Sequence, residues 1–331
     1  MLNLECSISN KMTLKNRLVM PPMATSRSED NGKVSKGILD YYDEKTKGGY
    51  ISLVIIEHSF IAQQGKASDK QLSIADNSLV EDLKELATII HKNGSKTVMQ
   101  INQAGSATDN KITGVDIVGP SAVPNPRTGN LPRELTEKEI NEVIESFKDA
   151  ALRVKNAGFD GVEIHSAHGY LLNQFFSPLS NKRIDQYGGG VLGRIKIHLE
   201  IIKAVRNAVG DSYPILLRLG ASDYMEGGST IEDSKIAALA FEKAGVDILD
   251  ISGGFCGYTV PGSKVQGYFS SLTEGIKEVV SIPVILTGGI TEAQAAEKLL
   301  LEGKADLIGV GRAIYKDSKW AQDAIESIKS E

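Results

Sequence analysis

KNAGFDGVEIHS, residues 155–166, has a grammar that recurs along the chain: a helical run, then Gly, then a short apolar run. The same joint reads HKNGSKTVMQIN at 91–102, NAVGDSYPILLRL at 207–219, EKAGVDILDIS at 242–252 and LEGKADLIGVG at 301–311. Glycine ends a helix because it tolerates the left-handed conformation there. The run after it is continuously apolar rather than alternating, as a strand buried on both faces requires. Each joint is therefore a helix-to-strand turn of a parallel sheet. Apolar runs place eight strands, at Leu18–Ala24, Ser52–Glu57, Thr97–Asn102, Gly161–His165, Ile215–Leu219, Ile248–Ser252, Val284–Thr287 and Leu307–Gly311. Eight such units point to an α/β fold, a single (β/α)8 TIM barrel over 1–331. The alternative, an open doubly wound sheet, wants glycines after its first strand, where Pro21-Pro22-Met23-Ala24 stands instead.

The intervening segments carry helix signals. Leu79, Leu83, Leu86 and Ile90 recur at helical spacing within 79–92. Thr136, Thr230 and Thr291 open T-x-x-E, T-x-x-D and T-x-x-Q, so each reads as an N-cap. Ahead of the first strand, Met1–Lys15 reads as a short hairpin turning at Ser9-Asn10-Lys11, and Asn16-Arg17 as a tie at the barrel mouth.

Composition removes several function classes. The 331 residues hold 37 Lys+Arg and 42 Asp+Glu, a net charge of −5, with 41% hydrophobic residues. No Lys/Arg run offers a nucleic acid a basic surface. No apolar run approaches the ~18 residues of a membrane span, and the polar N-terminal stretch is unlike a secretory leader. The two cysteines, Cys6 and Cys256, form no disulfide framework or CxxC and read as ordinary thiols. A cytoplasmic location follows as the expectation.

In a barrel, functional residues stand where strands end. The seventh strand runs into Thr287-Gly288-Gly289-Ile290, and the eighth into Gly309-Val310-Gly311-Arg312. Two adjacent glycine turns, each before a helix, can bring backbone N–H groups close to a phosphate, with Arg312 adding charge. The fourth strand ends His165-Ser166-Ala167-His168-Gly169-Tyr170. Imidazoles there can polarise an oxygen and a tyrosine can donate a proton. A metal is not indicated, because His165 and His168 lack a third ligand, with Glu163 expected to point elsewhere. Gln100 and Asn102 end the third strand. Arg218 lies within the apolar fifth, where it needs an anionic ligand or a neighbouring carboxylate. His58, after Glu57, is expected to face the same site, and Cys256 stands near the mouth. Gly188 to Gly193 match GxGxxG, but no strand precedes them, so they are not a dinucleotide site.

Taken together, these residues resemble the old yellow enzyme family, NADH:flavin oxidoreductases that act as FMN-dependent ene-reductases, in its short bacterial, thermophilic-like subgroup. The likeness runs from Leu14-Lys15-Asn16-Arg17 to Gly311-Arg312. It is most specific from Gly158 through Tyr170 to Leu172, and on through Gln174-Phe175-Phe176-Ser177-Pro178 and Asp185-Gln186-Tyr187-Gly188-Gly189. The resemblance implies non-covalent FMN, bordered by Pro22, Met23 and Ala24. Gln100 would serve its pyrimidine edge, Arg218 its N1, and Gly288, Gly289, Gly311 and Arg312 its phosphate. It implies that His165 and His168 hold the substrate oxygen and that Tyr170 is the proton donor, with His58 and Ser26 beside the substrate. The implied reaction takes a hydride from NADPH or NADH onto flavin. Flavin N5 then passes it to the C=C bond of an α,β-unsaturated carbonyl, nitro or quinone-like compound. A homo-oligomer is also implied.

The chain departs from the family pattern in places. Ala24 stands for a Thr or Cys, Ser26 for a Tyr, His58 for a small residue and Gln103 for a His, and 325–331 holds no arginine. Two other readings start from the same residues: a flavin-free phosphate-binding barrel, an aldolase or isomerase, and a flavin-binding protein with reduced catalysis. The first lacks the strand-end lysine or carboxylate set such chemistry uses.

Overall fold

Eight parallel strands close into one barrel in a computed structural model that describes residues 1–329. They are β1 (Leu18–Met20), β2 (Leu53–Phe60), β3 (Lys96–Asn102), β4 (Gly161–Ser166), β5 (Ile215–Gly220), β6 (Ile248–Ser252), β7 (Val284–Thr287) and β8 (Leu307–Gly309). Each pairs with its neighbours in chain order, and β8 closes onto β1. The first strand is shorter than its apolar run because Pro21 and Pro22 have no N–H for the ladder. The last two residues of the stretch 325–331 lie outside the described residues.

Helices return the chain between strands, among them Lys36–Thr46, Val80–Lys92, Glu137–Asn156, Lys196–Val209 and Ile231–Ala244. Thr136 and Thr230 begin two of them with full capping boxes. Thr291 does not cap. The helix there begins at Ala293, with Glu292 at the cap position and no side-chain cap bond. A distant amide serves the helix entry instead: Gln266 Oε1 accepts the N–H groups of Thr291 and Glu292, at 2.8 and 3.0 Å.

Two apolar bodies hold the barrel. One lies between strands and helices, and includes Phe147, Phe175, Phe176 and Phe241. The other is the barrel interior, where Val19, Leu53, Ile55, Val98, Leu216, Ile248, Ile285 and Leu307 meet Cys6, Ile8, Met12 and Leu14. The last four belong to an antiparallel hairpin, Cys6–Ile8 with Met12–Leu14, which stoppers the N-terminal end of the barrel. Asn16 and Arg17 also lie before β1, at this closed end rather than at the mouth. Asn16 donates to the Tyr50 carbonyl and Arg17 to the Asp306 carbonyl, both at 2.8 Å. Because one end is plugged with apolar side chains, only the strand C-termini are left to form a site. Among the described residues, no helix is long and apolar enough to cross a membrane.

The GxGxxG stretch has a packing explanation. A Cβ on Gly188 would stand 2.0 Å from the Arg183 carbonyl oxygen, and one on Gly193 2.0 Å from the Gly188 oxygen. These glycines permit close backbone approach in a turn.

Candidate active site

Side chains alternate along a strand, so residues two apart share a face. Above the apolar layer, this alternation sets polar residues in the barrel interior. Leu216 is followed by Arg218 on β5, Val98 by Gln100 on β3, and Ile248 by Asp250 on β6. Glu163 and His165 likewise share one face of β4, but Glu163 is paired to Gln100 and not to the histidines. Register places Gln100 opposite Glu163, and Arg218 opposite both His165 and Asp250. Gln100 donates to Glu163 Oε2 at 2.6 Å. Arg218 Nε stands 3.3 Å from Asp250 Oδ2, without a hydrogen-bond geometry. All four are buried. Burial raises the pKa of Glu163 and Asp250, the nearby Asp250 charge raises Glu163 further, and Arg218 opposes both shifts.

Over this layer lies a cavity of about 400 Å³ at the C-terminal ends of the strands. Of the residues singled out in the sequence, Pro22, Met23, Ala24, His58, His168, Tyr170, Arg218, Gly288, Gly289, Gly311 and Arg312 line it. Gln100 and His165 do not: both are buried, and Gln100's amide is turned to Glu163. Ser26 is exposed, with a left-handed φ of 54°, and is also off the cavity wall. Cys256 is half-buried and does not line the cavity; burial pushes its thiol up to about 11.

The rings form a cluster. His165 lies edge-on to His168 and to Tyr170, each with centroids 5.1 Å apart, and His58 stands 5.3 Å from Tyr170. Ser252 Oγ holds His168 Nε2 at 2.8 Å, which leaves Nδ1 without a partner in the described chain. His165 Nδ1 is buried and unpartnered. Burial, helped by the charge of Arg218, holds both imidazoles well below their ordinary pKa, so they act as neutral hydrogen-bonding groups. His168 has a left-handed φ of 61°, and its carbonyl accepts from Arg127 at 2.7 Å. Burial raises the Tyr170 hydroxyl, keeping it protonated and able to donate.

At the other end, the backbone N–H groups of Gly289, Ile290 and Gly311 find no acceptor among the described residues. Arg312 lies beside them on the same wall. Among the described residues no carboxylate lines the cavity, while Arg127, Arg218 and Arg312 do. Among the described residues no set of three His, Cys, Asp or Glu could hold a metal.

Sequence reasoning missed Arg127, Tyr258 and Tyr268. All three come from irregular segments between β3 and β4 or β6 and β7, where no period marks an inward face. Tyr268 also changes the reading of the glycines. A Cβ on Gly289 would stand 2.5 Å from its ring and one on Gly288 2.9 Å. Tight packing of this tyrosine thus requires glycine there as much as any anion does. Its hydroxyl accepts from Arg312 at 3.1 Å and donates to the Tyr258 carbonyl at 2.5 Å.

Residues 6–331 match the model of the NADH:flavin oxidoreductase / NADH oxidase family. The chain is 43% identical over 326 residues to an NADH oxidase of Thermoanaerobacter brockii, covering 97% of this chain and 50% of that one. It is 38% identical over 307 residues to an NADPH dehydrogenase of Clostridium acetobutylicum, covering 92% and 89%. The old yellow enzyme homologue from Zymomonas mobilis superimposes with a TM-score of 0.85 at 25% identity, over 98% of this chain and 92% of that one. The chain thus spans about half the length of some curated relatives and nearly all of others. With the barrel, the arginine-lined cavity and the strand-end motifs in agreement, the chain belongs to the NADH:flavin oxidoreductase / NADH oxidase family of flavin-dependent oxidoreductases.

Proposed function

We propose that this chain is an FMN-dependent NAD(P)H oxidoreductase that reduces activated C=C bonds of α,β-unsaturated carbonyl or nitro compounds. The observation that carries the reading is the meeting, in one cavity, of His168 and Tyr170 with the buried Arg218 and the open N–H groups of the two glycine turns. The residues fit FMN. Gly289, Ile290, Gly311 and Arg312 offer donors and charge to its phosphate, and Arg218 offers a guanidinium, with an unpartnered Nε, to its ring system. Pro22, Met23 and Ala24 give the ring an apolar edge, and Gln100 reaches it only by turning its amide from Glu163.

A bound flavin supplies the chemistry of taking a hydride from reduced nicotinamide and passing it to the alkene. The protein's part is orientation and polarisation. Arg218 stabilises negative charge that accumulates beside it, from a position already desolvated. His168, held neutral by burial, donates a hydrogen bond to the carbonyl or nitro oxygen and draws electron density from the β-carbon. His165, buried behind the wall with its Nδ1 unpartnered, joins it only by turning its ring toward the cavity. Ser252 fixes the His168 ring for this task. Tyr170 delivers the proton to the α-carbon from its hydroxyl.

Tyr170→Phe separates these roles. Reoxidation of the reduced protein by a simple enone is expected to slow by roughly 10²-fold or more. Reduction of the bound flavin by NAD(P)H stays near the native rate. Equal slowing of both half-reactions in stopped flow would remove Tyr170 as proton donor.

A further inference from the structure

His58 stands on the cavity wall and has no task in the steps above. The pairing of β2 with β3 slips between Ile56 and Ser59, and such an irregularity re-aims the side chain within it. Behind the ring lies Gln71, 3% exposed. Its Oε1 accepts the Ala67 N–H at 2.6 Å, which fixes the amide's orientation, since a backbone N–H can only donate. Its Nε2 then faces His58, 2.6 Å from Nδ1 and 3.1 Å from the backbone oxygen. An amide nitrogen has hydrogens and no lone pair to offer, so Nδ1 must accept. A neutral imidazole that accepts at Nδ1 carries its hydrogen on Nε2. Burial and the charge of Arg218 lower the His58 pKa to about 4, so the ring is neutral across the ordinary pH range. Nε2–H has no acceptor within the described chain.

We infer that His58 is a specificity-determining hydrogen-bond donor for a second acceptor oxygen on the substrate, and that Gln71 is the positioning residue that fixes its proton. The His58 ring packs beside those of Tyr170 and His165, with centroids 5.3 and 6.4 Å apart, and shares the cavity wall with Tyr170. The favoured class is an activated alkene with an acceptor at each end of its conjugated frame, such as an ene-dione or a quinone. A substrate with one acceptor leaves the His58 N–H unmatched, which is a cost in a desolvated pocket. The inference rests on the reading of His165 and His168 as the anchor of the first oxygen.

The test uses FMN-loaded protein and two phenols, phenol and 4-hydroxybenzaldehyde, titrated by the long-wavelength band that a phenolate over flavin produces. Replacing His58 by Leu is expected to lower the ratio of their dissociation constants, phenol over aldehyde, by about fivefold. The differing acidities of the two phenols cancel in that comparison. Gln71→Leu lowers the ratio in the same direction by freeing the tautomer. A long-range ¹⁵N–¹H spectrum of histidine-labelled native protein is expected to place the His58 proton on Nε2. A ratio unchanged in His58→Leu, or a proton on Nδ1, overturns the inference while the proposed function stands. If neither phenol gives a band with the native protein, the anchor reading fails and takes this inference with it.

Discussion

Arg218 shares the barrel interior with two carboxyl groups, Glu163 and Asp250, all three shielded from water. One guanidinium cannot neutralise two carboxylates, and burial makes the second charge costly. The raised pKa of Glu163 reports this. Its protonated form relieves the repulsion while Gln100 donates to it. Arg218 was legible as an anomaly, a cation inside an apolar strand. Its partner was not, because only the register of β5 against β6 sets Asp250 beside it. Glu57 is a further buried acid, pushed up to about 7 by burial although it accepts the Thr25 N–H at 3.2 Å. The sign follows from linkage. Between the ordinary carboxyl range and pH 7 the native state holds a proton that the unfolded chain has released, so stability falls as pH rises through that window. Glu57→Gln keeps the acceptor and removes the ionisation. Urea unfolding is expected to show the variant gaining about 3 kcal/mol on the native protein between pH 4.5 and 7.5. Parallel pH profiles would contradict this.

Three threonines with the same local signature show where sequence reading of elements stops. Thr136 and Thr230 form their capping boxes from residues within one turn, which a local pattern can specify. Thr291 makes no cap bond, and the N–H groups at that helix entry go to Gln266, which lies 25 residues earlier and reaches them only in the fold. Thr136→Ala is expected to cost about 1 kcal/mol of stability. Thr291→Ala should change it by less than about 0.5 kcal/mol, as a site without a cap bond does. Equal losses in chemical denaturation would mean that Thr291 caps its helix after all. The strands divide in the same way. Their existence follows from the glycine joints. The early end of β1 follows from two prolines, and the slip in β2 that presents His58 leaves no mark in its composition.

The whole molecule is a barrel closed at one end by apolar residues and open at the other over polar ones. The hairpin fills the bottom, and the interior layers change from Leu216, Ile248 and Val98 to Arg218, Asp250 and Gln100 toward the mouth. That the site stands at the strand ends was readable, because strand ends are local properties. The hairpin's place in the bottom of the barrel was not, because its packing is set by the closed fold. Nor was the cavity's outer wall, since Arg127, Tyr258 and Tyr268 arrive from irregular segments whose path depends on the packed whole. The visible spectrum of the purified protein after incubation with FMN and removal of the free cofactor, recorded with and without phenol, tests whether this cavity holds a flavin under an oxygen anchor. The structure and family predict retained flavin bands and a new long-wavelength band with phenol, lost in His165→Ala/His168→Ala while the protein stays yellow. Protein that emerges colourless would contradict the flavin site itself, and a yellow protein with no phenol band would contradict the histidine anchor.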